Sequence, residues 1–119
     1  MWLKLLLRLF SLLLVLVGAA MLLAPDVRLP LVRAGHLILG LATVLCMLAL
    51  TLRMPGPARD QRAQLRWLGV VAGGIAFFIG LLILARASAP EGVRWVHALI
   101  GLGAIALLEM GAGQRRRAG

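Results

Sequence analysis

Four long apolar stretches alternate with short polar segments along this chain of 119 residues. Each stretch holds about 20 residues, the length that a helix needs to cross the roughly 30 Å hydrocarbon core of a bilayer. The stretches show no alternation of apolar and polar positions, so they predict helices rather than the strands of a barrel. The pattern predicts an all-α fold, an integral membrane four-helix bundle forming one transmembrane domain over residues 1–119. The predicted spans are residues 5–24, 32–52, 68–85 and 93–112.

The first stretch also has features of a secretory signal peptide. Lys4 and Arg8 flank its start, and three small residues follow at 18–20, where a cleavage site could lie. The apolar part is long for a signal peptide. We therefore expect this stretch to be retained as the first transmembrane helix.

Composition excludes several classes of protein. Hydrophobic residues make up 62% of the chain and charged residues 14%, whereas a soluble domain has about 45–50% and about 25%. A soluble enzyme and a disordered chain are therefore both excluded. The single cysteine, Cys46, cannot form an intramolecular disulfide or a zinc site of the several-cysteine type.

Basic residues outnumber acidic ones by 13 to 4, and the net charge is +9. They cluster at the ends of the apolar stretches, as in membrane proteins, so we expect lipids rather than nucleic acid as partners. Nine of them fall on the side of the two termini and the middle loop, which predicts that both termini are cytoplasmic. A multi-pass protein of the bacterial inner (plasma) membrane fits this pattern. The nine are Lys4, Arg8, Arg53, Arg59, Arg62, Arg66, Arg115, Arg116 and Arg117.

An internal repeat relates the second and fourth spans. At a constant offset of 61 residues the same arginine, histidine, glycine and leucine recur near the start of each span. Two copies of one helical hairpin, about residues 5–53 and 67–113, explain the pattern. Because two spans separate the copies, equivalent helices point the same way and the repeat is parallel. The matching pairs are Arg33 and Arg94, His36 and His97, Gly40 and Gly101, and Leu41 and Leu102.

The two histidines of the chain occupy equivalent positions in this repeat. His36 and His97 should therefore lie at the same depth in the membrane, about one turn inside the helix ends. Two imidazoles at one level can bind one metal ion from opposite sides, and iron in haem b is the first candidate. Other pigments, or a quinone, at the same histidines are the alternatives.

The neighbours of each histidine suit such a cofactor. Arg33 and Arg94 lie three residues before the histidines, on the same helix face, and could bind haem propionates. Gly40 and Gly101 lie one turn deeper, where they would leave room for a flat macrocycle. Apolar or small residues continue both faces inward: Thr43, Val44 and Met47 in the first copy, and Ala104, Ile105 and Leu108 in the second.

A simpler interpretation needs no cofactor. The arginines would then be ordinary residues of the membrane boundary, the histidines interfacial, and the glycines small residues that let helices pack closely. Against it stands the scarcity of ionisable residues inside membranes, where they usually have a function. Gly18, Gly73, Gly74 and Gly80 predict close helix packing.

The architecture resembles the small membrane-embedded b-type cytochromes, in which histidines of a four-helix bundle hold haem. The resemblance covers the bundle and the paired histidines. It implies electron transfer with a redox partner or quinone. Four-helix cytochromes that carry electrons across the whole membrane generally have two haems, whereas two histidines suffice for one.

Glu109 is the only acidic residue within a predicted span. We expect it to pair with Arg53 or Arg66 at the same side of the membrane, with a role as a proton relay as the alternative. Its equivalent in the first copy is Leu48, so a transporter built from two matching halves is the weakest interpretation.

Two main functions remain. The first is an electron-transfer subunit with one bis-histidine haem near the outer face. The second is a structural or accessory subunit of a larger membrane complex. No constellation of catalytic residues is evident, so an electron carrier or accessory subunit is favoured over a stand-alone enzyme.

Overall fold

The computed structural model describes residues 2–86 and 88–113, and that part of the chain forms four α-helices. They are α1 (Trp2–Leu23), α2 (Pro30–Arg53), α3 (Gln61–Ala85) and α4 (Glu91–Ala112). All four are long and apolar enough to cross a membrane, which is compatible with a multi-pass membrane protein. The predicted all-α four-helix fold is confirmed. The arginines at 115–117, which the orientation argument counts, lie outside the described residues.

Local signals explain where the helices begin. Pro30 occupies the first turn of α2, where its missing N–H removes no helical hydrogen bond. Asp60 caps α3 by accepting a hydrogen bond from the backbone N–H of Arg62 at 3.3 Å. α3 therefore begins at Gln61, before the predicted span that starts at residue 68, because a polar first turn can extend beyond an apolar stretch.

Consecutive helices are antiparallel neighbours. The contact between α3 and α4 is the most extensive, and that between α1 and α4 is much smaller than that between α2 and α3. α2 and α4 make at most marginal contact, so they lie diagonally across the bundle. We call the end with the α1–α2 and α3–α4 connections the histidine end, and the opposite end the Glu109 end.

The close-packed core lies toward the Glu109 end. Leu7, Met47, Leu50 and Leu108 are buried together there with two alanines of α4. The buried positions of α2 recur in α4 at the same offset of 61 residues that relates the histidines. Those pairs are Thr43 and Ala104, Met47 and Leu108, Leu50 and Gly111, and Thr51 and Ala112.

An ion pair joins α1 to α4 at the Glu109 end. Arg8 donates from Nε and a terminal nitrogen to the two carboxylate oxygens of Glu109, each at 3.0 Å. The expected pairing of Glu109 with Arg53 or Arg66 is therefore wrong. Because α1 lies next to α4, Arg8 reaches Glu109 directly.

The C-terminal end of α4 attracts further cations. Lys4 donates to the carbonyl of Ala112 at 2.9 Å, and Arg66 donates to that of Gly111 at 2.9 Å. Arg66 is buried and also bonds to the carbonyl of Met54. Positive charge is favourable here because the last carbonyls of a helix lack helical partners and carry the negative end of its dipole.

Candidate functional site

His36 on α2 and His97 on α4 face each other across the histidine half of the bundle. Their ring centroids are 6.1 Å apart, and the ring planes are inclined by 73°. Both side chains are half-buried. The two histidines that the sequence pairs thus meet at one level, although their helices hardly touch.

A backbone carbonyl fixes the ring of His97. Its Nδ1 lies 2.8 Å from the carbonyl oxygen of Ala76 on α3. Because a carbonyl only accepts, Nδ1 carries the hydrogen, and the lone pair of the neutral ring is on Nε2. Nε2 forms no hydrogen bond with any described residue. Histidines that bind metals commonly have this arrangement, in which the second nitrogen donates to a carbonyl.

The ring of His36 has an unsatisfied nitrogen. Its Nδ1 is buried and has no hydrogen-bond partner in the described chain. Burying such a group without a hydrogen-bond partner costs about 1–3 kcal/mol.

A glycine lies against each imidazole. A Cβ atom on Gly18 of α1 would be 2.9 Å from Cε1 of His36, and one on Gly80 of α3 would be 3.0 Å from Cε1 of His97. The sequence predicts close helix packing at both glycines, and their contact with the histidines was not predicted. Their spacing of 62 residues, close to the offset of the histidines, is the signal that could have revealed it.

A cavity of about 380 Å³ surrounds the histidines and is lined by all four helices. Its volume is within the range of about 300–1,000 Å³ typical of small-molecule sites. All six residues that the sequence singles out as a site line this one cavity: His36, His97, Arg33, Arg94, Gly40 and Gly101.

Gly40 and Gly101 border the cavity with room to spare. A Cβ on Gly40 would be 3.5 Å from Phe77, and a Cβ on Gly101 would be 3.9 Å from Ala76. Both are ordinary van der Waals distances. These glycines therefore widen the cavity without being forced by a close contact, in contrast to Gly18 and Gly80.

Three arginines line the cavity. The side chains of Arg33 and Arg94 form no hydrogen bond or ion pair with the described residues, and both are half-buried. Arg28, which the sequence interpretation did not assign to the site, donates from Nε to the carbonyl of Met21 at 2.7 Å. Cationic groups beside an apolar cavity favour an anionic ligand, because pairing offsets the cost of removing charge from water.

Small and apolar residues form the deeper wall. Val44, Met47, Ala104 and Ile105 line it, as expected. Thr43 also lines it, and its hydroxyl donates to the carbonyl of Leu39 at 2.7 Å, so it adds no unsatisfied polar group. Leu108, which was expected here, is fully buried in the core instead.

The number of protein ligands restricts the metal chemistry. Across residues 2–86 and 88–113, no group of three or more His, Cys, Asp or Glu side chains could hold a metal ion. Two facing histidines alone suit a metal that brings its other ligands with it, as iron does in a porphyrin.

The separation of the rings fits this chemistry. A metal–imidazole bond is about 2 Å long and the bonding nitrogen lies roughly 1 Å from the ring centre, so imidazoles on opposite faces of one metal ion have centroids about 6 Å apart. The observed separation is 6.1 Å. This separation is compatible with two imidazoles that bind one metal ion, and it is also that of an ordinary edge-to-face contact between two rings.

Comparison of the chain with protein-family models, curated proteins and solved structures gives no match.

Proposed function

We propose that this chain is a small b-type cytochrome-like subunit that holds one haem between α2 and α4. His36 and His97, one from each helical hairpin, would hold the haem iron. The observation that carries the proposal is the 6.1 Å separation of the two rings inside a cavity that all four helices line.

The arginines of the cavity can bind the negatively charged groups of haem b. Haem b carries two propionates, and Arg33 and Arg94 line the cavity without an acidic partner in the described chain. Charge-assisted bonds to arginine are about twice as strong as neutral hydrogen bonds. Arg33 and Arg94 would therefore bind the propionates.

When bound, haem supplies the one-electron chemistry, and the protein supplies the position. The Ala76 carbonyl keeps the Nε2 lone pair of His97 free for the iron. The apolar wall keeps water from the macrocycle. These features suit electron transfer to and from a redox partner or a larger membrane complex.

We infer the location in the cell from the distribution of charge. With both termini in the cytoplasm, the histidine end faces outward from a bacterial inner membrane. The haem then lies near the outer face. Reporter fusions after Arg59 and after Gly119 should both report the cytoplasm, and a fusion that reports the outside would reverse this orientation.

An absorption spectrum of the purified protein, oxidised and then reduced, tests the proposal. We expect the bands of a low-spin haem, and we expect that His36→Ala and His97→Ala each abolish them because each removes one axial ligand. Glu109→Gln, at the other end of the bundle, is the control that keeps them. A colourless, folded protein that takes up no added haem would disprove the proposal and leave the accessory subunit.

A further inference from the structure

A second groove lies at the histidine end, between the last turns of α3 and the first turns of α4. Its volume is about 540 Å³. Of the described residues, only Ile83 lines both this groove and the cavity around the histidines. The groove is therefore separate from the proposed haem site. Its apolar walls are formed by Ile79, Leu82, Ile83, Val93 and Val96.

The uneven spacing of α3 and α4 explains why a groove exists here. Toward the Glu109 end the two backbones touch: a Cβ atom on Gly69 would be 3.0 Å from the carbonyl oxygen of Ala104, and one on Gly111 would be 2.7 Å from that of Arg62. Gly92 of α4 lines the groove at the other end, and a Cβ atom there would meet nothing within 4 Å. The helices are thus closest at one end and leave a gap at the other.

The groove opens toward the lipid phase. Leu82 and Val96 are each 49% exposed, on helices that are long and apolar enough to cross a membrane. Ile79 precedes Arg86 by seven residues, so the apolar walls extend about 10 Å along the helix axis from Arg86 into the span. An occupant of the groove must therefore be apolar over this length.

A cation lies at the polar end of the groove. Arg86 lines the groove and directly follows α3, at the depth where lipid head groups meet the apolar core. Its side chain is exposed and forms no hydrogen bond or ion pair with the described residues. The other arginines of this end, Arg28, Arg33 and Arg94, line the haem cavity instead. Because guanidinium groups bind phosphate with charge-assisted hydrogen bonds, Arg86 suits a phosphate at this depth.

We propose that this groove binds one anionic phospholipid, with an acyl chain along the apolar walls and the head-group phosphate on Arg86. A phospholipid combines the negative charge and the hydrocarbon chain that the groove requires, and the membrane supplies it at high concentration. A free anion would leave the apolar walls uncovered. A helix of another protein would need an acidic residue at the membrane boundary to pair with Arg86. The binding requires no haem, so it is independent of the proposed function.

Arg86→Gln tests the contact with the head group. Native mass spectrometry of the purified protein, titrated with phosphatidylglycerol, measures the affinity for the first bound lipid. We expect Arg86→Gln to weaken this affinity about fivefold and to remove the preference over phosphatidylcholine. The matched control is Arg53→Gln, because Arg53 is exposed at the end of α2 and does not line the groove. An equal loss in the two variants, or no loss in Arg86→Gln, would overturn the proposal.

Gly92→Phe tests the apolar part of the site by placing a phenyl ring in the gap. We expect the first phospholipid to bind about tenfold more weakly, the effect of excluding two methylene groups from an apolar site. Gly103→Phe is the matched control. Both glycines are exposed on α4, and a Cβ atom on either would meet nothing within 4 Å, but Gly103 lines neither the groove nor the cavity. Equal affinities in the two folded variants would overturn the proposal.

Photolabelling locates the bound lipid. After loosely held lipid is removed, a phosphatidylglycerol with a photoactivatable acyl chain should label residues 79–96, and Gly92→Phe should lose this label while Gly103→Phe keeps it. Label that persists in Gly92→Phe would overturn the site. A second copy of the chain is the competing occupant, and Leu82→Cys in a Cys46→Ser background tests it. Disulfide-linked dimers that form through this cysteine in the membrane would show that another copy covers the groove and would likewise overturn the proposal.

Discussion

Gly80 lies directly beneath the imidazole of His97, where a Cβ atom would come within 3.0 Å of Cε1. Gly18 lies beneath the imidazole of His36 in the same way, and a Cβ atom there would be 2.9 Å from Cε1 of His36. Each ring therefore packs on the bare backbone of the preceding helix of its hairpin. The glycines set how far each imidazole can retreat from the centre of the cavity.

Gly18→Ala and Gly80→Ala should weaken haem binding. The added methyl group would displace the imidazole from the position that the backbone now allows, and we expect a loss of about tenfold or more in affinity, or at least 1.4 kcal/mol. Haem titration of the purified protein measures this. Gly74→Ala on α3 is the matched control, because its Cβ would meet nothing within 4 Å. Since alanine favours helices over glycine in all three variants, a general gain of helix stability cannot mimic the effect.

Substitutions at Gly40 and Gly101 should weaken haem binding only when the new side chain is large. Alanine fits at both positions at ordinary contact distances, so Gly40→Ala and Gly101→Ala should bind haem nearly as the wild type does. Leucine would fill part of the cavity, and Gly40→Leu and Gly101→Leu should expel haem while the helices remain. Absorption spectra measure the bound haem, and circular dichroism measures the helix content. Leucine variants that keep haem but lose helix packing would assign these glycines to helix contact.

Arg33→Leu and Arg94→Leu should lower the reduction potential of the haem. A nearby cation stabilises the extra electron of the reduced form, and a unit charge about 9 Å away contributes roughly 2 kcal/mol at an effective dielectric constant near 20. We expect shifts of tens of millivolts, together with weaker haem retention, in a redox titration. Arg86→Leu is the control at the same end, because Arg86 does not line this cavity. An upward shift in the Arg33 or Arg94 variants would place the propionates elsewhere.

Breaking the Arg8–Glu109 pair should affect stability and leave the haem spectrum unchanged. Both side chains are exposed, Arg8 the more so, and we therefore expect only a small coupling in a double-mutant cycle of Arg8→Met and Glu109→Gln. Thermal unfolding of the single and double variants measures it. If Glu109 were a proton relay instead, Glu109→Gln would change the pH dependence of electron transfer without changing stability.

Much of the architecture could be predicted from the sequence because its signals are local. Apolar stretches of membrane-spanning length predict the helices, and the repeat at an offset of 61 residues predicts that His36 and His97 share a level. Periodicity also placed Arg33 and Arg94 on the faces that bear the histidines. Such inferences need only the geometry of one helix and the symmetry of the repeat.

The parts that sequence missed depend on which helices are neighbours. Glu109 pairs with Arg8 because α1 lies next to α4, and no pattern within either helix encodes that contact. Gly18 and Gly80 are unremarkable along their own helices and acquire a role only where the next helix crosses them.

The uneven packing along the bundle has a mechanical consequence. The core around Met47 and Leu108 fastens the helices at one end, while the histidine end encloses a hollow. The helices can therefore separate at the histidine end to admit a flat prosthetic group, while the packed core holds them together at the Glu109 end. The haem-free protein should accordingly exchange backbone amide hydrogens faster at the histidine end than in the core.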